Sequence, residues 1–218
     1  MKPYSTIKKL IFFILMFSVD FGFSQNFEKD TLQLPEVRIS NATKAKEMKF
    51  RFKGLGCVHL CSLSYETEMV TLVNTLPEGY LKSVTMNFNN GTSTNNVTYD
   101  FVDTKLQLVF YKVGADGKPG NELAKPIDIT IKGDERGKRE IILPPYTILN
   151  PGDMFVGLRR VTPASSSNIR DFEVDGVCPD VYRYTSFRRN GDNAPWQNNG
   201  HMPTAYKMTI KEMVFVAK

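Results

Sequence analysis

The sequence has little of what acid–base and nucleophilic catalysis usually require. Only two of its 218 residues are histidines, His59 and His201, so a Ser-His-Asp or Cys-His arrangement has few possible bases. The motifs G-x-S-x-G, H-E-x-x-H and G-x-G-x-x-G and the phosphate-binding loop do not occur. A carboxylate pair for glycoside hydrolysis has no fixed sequence spacing, because the fold sets the distance between its two groups. The sequence therefore predicts a protein that is not an enzyme, with a glycoside hydrolase as the remaining enzymatic alternative.

Cysteine is also scarce, and its three copies do not define a disulfide framework. Cys57, Cys61 and Cys178 leave one thiol over if a pair forms. On an extended strand Cys57 and Cys61 would lie ~13 Å apart, which is too far for a bridge. We therefore expect Cys178 to pair with one of the other two, and the sequence leaves open which one.

The run CVHLC at residues 57–61 would place two cysteines and a histidine on one face of a strand, and zinc prefers such ligands. Neighbouring ligands would then be ~6.5–7 Å apart at Cα, whereas structural zinc sites usually hold each ligand pair in a tight turn. We expect a structural role for these residues and no metal.

Two acidic segments have part of a calcium-binding pattern. Residues 171–176 (DFEVDG) begin as a calcium loop does, but Tyr182 occupies the position where a bidentate glutamate is required. The loop around Asp116 also offers oxygen ligands, although turn formation explains its composition as well. We expect no cofactor, and calcium near Asp116 or Asp171 stays an open alternative.

After its N-terminus the sequence has no hydrophobic run long enough for a membrane helix. The one long run, at residues 10–19, follows Lys8 and Lys9 and precedes the triplet GFS at 22–24, which has small residues at its first and third positions. This order is typical of a cleaved signal peptide. We expect removal of residues 1–24, no transmembrane span in the mature chain, and export to the periplasm, the outer cell surface or the extracellular medium.

What the chain has throughout is the alternation of apolar and polar residues that is typical of strands with one buried face. Residues 127–132 (IDITIK) alternate in this way, and we expect Val84, Met86 and Phe88 to face the core. Glycine and proline divide such runs into roughly nine or ten short strands, with no run of helical period. The prediction is an all-β fold, a two-sheet antiparallel sandwich of jelly-roll-like form.

The predicted domain organisation follows from these patterns. Residues 1–24 form the signal peptide, and the polar residues 25–48 form an N-terminal segment or linker. The sandwich domain then covers residues 49–218.

A group of short motifs resembles a known kind of domain. YKV at residues 111–113 with DGKPGNEL at 116–123, followed by PGDMFVGL at 151–158, resembles the jelly-roll-like β-sandwich of secreted Gram-negative proteins. That sandwich often follows a carboxypeptidase-regulatory-like domain, and LPEVRI at 34–39 is similar to the stretch that closes the regulatory domain. We expect no regulatory domain between residues 25 and 34 of this chain, which departs from the usual layout. The resemblance implies an exported sandwich without catalytic residues.

Arginine and aromatic residues are concentrated towards the C-terminal end. Six of the ten arginines fall within the 31 residues 159–189. Flat rings beside hydrogen-bonding groups suit sugars, and guanidinium groups suit carboxylates or phosphates. The alternative is that the rings cap the core and the arginines only solvate it. We define the predicted ligand set as Tyr182, Tyr184, Arg188 and Trp196, the only tryptophan.

These patterns predict an exported, non-catalytic binding or assembly module that docks on an outer-membrane partner through a sheet face or a strand edge. The alternative is a carbohydrate-binding module that uses the predicted ligand set. The formal net charge is +5, and export would remove three lysines and one aspartate. So small a charge does not indicate a nucleic-acid partner.

Overall fold

Alternating apolar residues form two antiparallel sheets that pack face to face as a sandwich. The computed structural model describes residues 44–52, 59–63, 66–91, 100–161, 169–170, 172–177, 185–199 and 205–216. Within this part of the chain no helix is long and apolar enough to cross a bilayer. The strands are β1 (Lys44–Phe52), β2 (His59–Cys61), β3 (Glu68–Val73), β4 (Gly79–Asn89), β5 (Asp100–Phe101), β6 (Thr104–Val113), β7 (Pro119–Glu122), β8 (Ile127–Ile131), β9 (Arg136–Ile142), β10 (Leu149–Asn150), β11 (Met154–Arg160), β12 (Ile169–Arg170), β13 (Val174–Val177), β14 (Ser186–Arg189), β15 (Gln197–Asn198), β16 (Ala205–Tyr206) and β17 (Met208–Val216).

The first sheet contains eight strands arranged around β4, which has 11 residues. β17 and then β13 pair along one edge of β4, and β10 and β9 pair along its other edge. β1 pairs with β17 over its whole length, from Lys44 opposite Val216 to Phe52 opposite Met208. β2 and β16 join the sheet by pairing with β13.

The second sheet contains seven strands in the order β15-β14-β3-β11-β6-β7, with β8 also paired to β6. All of its pairs are antiparallel. β11 and β3 approach each other so closely at Gly157 that a β-carbon there would overlap the carbonyl oxygen of Met69. β5 and β12 form a separate parallel pair.

The main core lies between the two sheets and takes one face of each. Val84, Met86 and Phe88 of β4 are buried in it, as the alternation predicted. Ile129 and Ile131 of β8 are buried in the same core from the second sheet. The prediction of an all-β fold with two antiparallel sheets is thereby confirmed.

The alternation in β4 changes phase at a β-bulge. Lys82 is an extra residue there, because consecutive residues of β17 pair with Leu81 and Ser83. Leu81 and Val84 therefore both face the core, whereas in an uninterrupted strand they would point to opposite faces. The residues of β4 whose side chains point to the outer face are therefore even-numbered before the bulge and odd-numbered after it.

The structure has more strands than the roughly nine or ten predicted from the alternation. Of the 17 described strands, six have only two or three residues, which is too few to show a period. β1 begins at Lys44, inside the predicted linker, and its alternation is clear only in its second half, where Phe50 and Phe52 reach the main core and Lys49 and Arg51 are exposed. β7 lies in a stretch whose glycines and proline had indicated only a loop. The predicted signal peptide lies outside the described residues.

Candidate functional site

Trp196 of the predicted ligand set packs against the outer face of the second sheet. Its ring lies edge-on to Tyr111, with centroids 5.5 Å apart, and the Arg189 guanidinium lies 4.5 Å from its centroid. The ring is half-buried and packs on a second apolar cluster, separate from the main core. The buried members of that cluster are Val70, Val109, Tyr111, Phe155 and Phe187.

Arg188 of the predicted ligand set lies on the opposite face of the second sheet from Trp196. Arg189 stacks on Trp196, and successive residues of a strand point to opposite faces. The Arg188 guanidinium instead forms an ion pair with Glu66 at 2.6 Å. The two tyrosines of the set lie outside the described residues, so ligand binding by the set stays a prediction.

Paired charges occupy the outer face of the second sheet. Glu68 is fully buried and accepts hydrogen bonds from the Tyr111 hydroxyl at 2.5 Å and from Arg189 Nε at 2.7 Å. Arg159 Nε lies 3.3 Å from Glu68, and Arg159 also pairs with Glu122. Burial, together with the neighbouring Glu68 carboxylate, raises the pKa of the Tyr111 hydroxyl, which stays a neutral donor. We call these five residues the glutamate–arginine cluster.

Each arginine of the glutamate–arginine cluster already has a carboxylate partner inside the protein. A guanidinium that is paired in this way has little attraction left for an anionic ligand. The cluster therefore contributes to the packing of the second sheet, and its arginines do not form a ready anion site.

A groove on the outer face of the first sheet has a different character. Its volume is about 410 Å³, and residues of β1, β4, β9, β13 and β17 line it. Its charged residues are Lys49, Arg51, Lys138, Lys207 and Asp175. Its other lining residues are Phe52, Thr85, Met86, Asn87, Met208 and Thr209. We call it the basic groove.

Strand register brings the residues of the basic groove together from distant parts of the chain. Arg51 pairs with Thr209, which in turn pairs with Thr85. Asn87 pairs with Lys138 of β9. These positions alternate with residues of the main core, so their side chains point to the outer face of the sheet.

The positive charge of the basic groove is only partly compensated. Lys207 Nζ lies 3.5 Å from a carboxylate oxygen of Asp175. Within the residues that the structure describes, no acidic side chain lies within ion-pair distance of Lys49, Arg51 or Lys138, although Glu140, which is paired with Lys211, also attracts Lys49 from further away. The groove therefore attracts anions, and its hydroxyl and amide side chains add hydrogen-bond donors and acceptors.

Other lysines on the same outer face are paired. Lys82 forms an ion pair with Glu47, and Lys211 Nζ lies 2.8 Å from Glu140. The hydrogen bond from Lys211 lowers the pKa of the Glu140 carboxyl. Among the described residues of this outer face, the cations without an ion pair therefore lie at the end that contains the basic groove.

Cys61 has a free thiol that is buried in the sandwich. Burial raises its pKa to about 12, so the thiol stays protonated and is a poor nucleophile or metal ligand. If the predicted disulfide of Cys178 forms, its partner is therefore Cys57, and both residues lie outside the described part of the chain.

At Asp116, in one of the two possible calcium segments, the side chain stabilises a turn. The Asp116 carboxylate accepts a hydrogen bond from the Lys118 backbone amide at 3.2 Å and lies 3.3 Å from Lys118 Nζ. Asp171 lies outside the described residues. Among those that are described, no three His, Cys, Asp or Glu side chains come close enough to hold a metal ion.

Neither a family model, nor a curated protein, nor a solved structure matches this chain. The basic groove was not predicted from the sequence. Lys49 and Arg51 fell in a stretch interpreted as a linker leading into the first strand, and Lys138 fell in a predicted turn. The one local signal was the two-residue spacing of Lys49 and Arg51, and strand register was needed to join them to the other cations.

Proposed function

We propose that this protein is an exported, non-catalytic binding module that holds an acidic polysaccharide in the basic groove. The observation that carries the proposal is the group of three cations, Lys49, Arg51 and Lys138, without an ion-pair partner among the described residues. A concave group of unpaired cations favours a ligand that brings negative charge. The groove volume of about 410 Å³ lies in the ~300–1,000 Å³ range of ligand pockets.

Uncharged polar side chains in the basic groove favour a sugar over a simple anion. Thr85, Asn87 and Thr209 present hydroxyl and amide groups beside the cations. A uronic acid offers a carboxylate to the cations and ring hydroxyls to these groups. Among the described residues that line the groove, Asp175 is the one carboxylate, whereas glycoside hydrolysis uses two, which supports binding without cleavage.

The N-terminal sequence supports the exported part of the proposal. Residues 1–24 have the charged, apolar and small-residue regions of a signal peptide in the required order. The resemblance to sandwich modules of secreted proteins agrees with it. Export would bring the groove to the acidic polysaccharides of cell surfaces.

Docking of an outer-membrane protein on a strand edge has less support. β1 is paired with β17, and no other described strand pairs with it. Its exposed residues include Lys46, Glu47 and Lys49. Charged side chains on an edge strand oppose the addition of a further strand, so β1 is a poor docking edge.

Binding of polygalacturonate to the mature protein tests the proposal, with neutral dextran as the comparison polymer. We expect saturable binding of polygalacturonate, measured by isothermal titration calorimetry, and a loss of affinity as salt is raised. Arg51→Ala and Lys138→Ala should each weaken binding about fivefold to tenfold through the loss of a charged hydrogen bond.

Lys118→Ala is the matched control, because it removes an exposed cation from a turn of the second sheet. It should leave the affinity unchanged. Absence of binding by the unmodified protein, or equal binding of dextran, would contradict the proposal. Equal losses in Lys118→Ala and Lys138→Ala would show that only the overall charge matters.

A further inference from the structure

An exposed aromatic group lies at the other end of the outer face that contains the basic groove. The rings of Tyr80 and Tyr146 meet edge to face with centroids 5.4 Å apart, and those of Tyr80 and Phe215 with centroids 6.0 Å apart. Tyr146 is 64% exposed and Phe215 is 46% exposed. We call these three residues the aromatic platform.

Apolar residues extend the aromatic platform. Leu149, which pairs with Tyr80, is 51% exposed, and Ile142, which pairs with Ser83 further along β4, is 69% exposed. Single exposed apolar residues need no explanation, but a contiguous exposed group of them marks an interaction site.

Tyr146 is held in a backbone conformation that tyrosine rarely adopts. Its φ is 57°, in the left-handed region that glycine and asparagine tolerate better. The adjacent Thr147 hydroxyl donates a hydrogen bond to the Pro144 carbonyl at 2.7 Å, which closes this turn. A large aromatic residue at a strained position that is also exposed points to a use for the ring itself.

The β-bulge at Lys82 places the aromatic platform and the basic groove on the same face of β4. Tyr80 and Asn87 differ by an odd number of residues, so an uninterrupted strand would turn them to opposite faces. β17 has no extra residue, and its outward positions run from Thr209 to Phe215, ~20 Å at ~3.3 Å per residue.

We infer that the aromatic platform is a second subsite for the polysaccharide bound in the basic groove. A sugar ring stacks on Tyr146 and Phe215 while acidic sugars further along the same chain occupy the groove. The ligand is then a linear acidic polysaccharide long enough to span ~20 Å of strand. The inference rests on the proposed function and adds to it the length and path of the ligand.

The distance between the basic groove and the aromatic platform favours a polysaccharide chain over a membrane surface as the ligand. A bilayer would be contacted by aromatic residues and cations that lie close together at one level. Here the unpaired cations line a concave groove, and the paired charges Lys82–Glu47 and Lys211–Glu140 lie between them and the platform.

The test is a length series of oligogalacturonates, from dimer to octamer, titrated into the mature protein. We expect affinity to rise with length until the chain spans both sites and then to level off. Tyr146→Asn keeps a residue that tolerates the backbone conformation but removes the ring. It should leave dimer affinity unchanged and weaken octamer binding about threefold to tenfold.

Two controls separate this inference from the proposed function. Val161→Ala, which truncates an exposed apolar residue after β11, should leave all affinities unchanged. Lys138→Ala should weaken dimer and octamer alike. If the dimer binds but neither added length nor Tyr146→Asn changes the affinity, the second subsite is wrong while the proposed function stands.

Vesicles of phosphatidylglycerol are the final arm of the test. The inference would be overturned if Tyr146→Asn abolished vesicle binding but had no effect on octamer binding. That result would show that the platform contacts membranes. No vesicle binding, together with the expected loss of octamer affinity, would support it.

Discussion

The two basic regions of this sandwich differ in where their counter-charges come from. In the glutamate–arginine cluster the fold supplies the carboxylates, and Glu68 binds two arginines at once. In the basic groove three of the four cations have no such partner in the part of the chain that the structure describes. A high local number of basic residues therefore does not identify an anion site, because the nearby acids decide whether the charge is available.

Burial separates the two regions as well. Glu68 is fully buried, and the side chains of Arg159 and Arg189 are only 16% and 13% exposed. Buried partners are costly to separate, whereas exposed charges contribute little to stability. The charges of the cluster thus matter for folding, whereas those of the groove contribute little to stability and stay accessible to solvent.

Replacing Glu68 should have the largest effect on stability, because Glu68 joins the two arginines of the cluster. Glu68→Gln leaves two poorly hydrated guanidinium groups without their shared carboxylate, and we expect a loss of ~3 kcal/mol of unfolding free energy. Urea denaturation measures it. Lys138→Ala, the matched removal of a charge from the basic groove, should change stability by less than ~0.5 kcal/mol. Similar losses in the two variants would refute the distinction between the regions.

Glu212 provides a third case, a buried carboxyl that is hydrogen-bonded to an amide. Asn150 Nδ2 donates to it at 2.9 Å, and no described cation forms an ion pair with it. Burial raises its pKa above the ordinary value of 4.5, partly offset by the Asn150 hydrogen bond. Its contribution to stability is therefore present below pH 4.5 and is lost as the pH rises through the folded-state pKa.

Glu212→Gln should remove this pH dependence and leave the hydrogen-bonded shape nearly unchanged. Relative to the unmodified protein, the variant should be more stable at pH 7 than at pH 4. Urea denaturation of both proteins at the two pH values measures the difference in unfolding free energy. The contributions of the other carboxyl groups are the same in both proteins and cancel in this difference. A variant whose relative stability is the same at both pH values would show that Glu212 is not perturbed by burial.

Trp196 should show the smallest effect on binding. Its ring is engaged with Tyr111 and Arg189 on the second sheet, whereas the basic groove lies on the first sheet. We expect blue-shifted tryptophan emission that polygalacturonate does not change, and unchanged affinity in Trp196→Phe. A saturable shift in the emission would instead favour the predicted ligand set over the basic groove.

The main core could be predicted because alternation is a local property. Val84, Met86 and Phe88 show it within five residues, and they are buried. The bulge could not be predicted, since continuing the same alternation towards the N-terminus would bury Lys82 and Tyr80. The structure instead exposes Lys82 and turns Tyr80 to the outer face.

The candidate site could not be predicted because its charges are distant in the sequence. The concentration of arginines in residues 159–189 indicated an anion site, but the partner of Arg189 is Glu68, 121 residues earlier. Lys49 and Lys138 meet only through strand register, and Lys207 joins them through its contacts with Asp175 of β13. Proximity in the sequence therefore indicated the glutamate–arginine cluster, whose charges are already paired, and gave no indication of the basic groove.

The extra residue in β4 also bears on how this face can diverge. A bulge lengthens one strand without requiring a matching insertion in its partner, so β17 keeps its regular spacing. Gain or loss of that one residue would therefore turn the aromatic end of β4 to the other face while the charged end keeps its orientation.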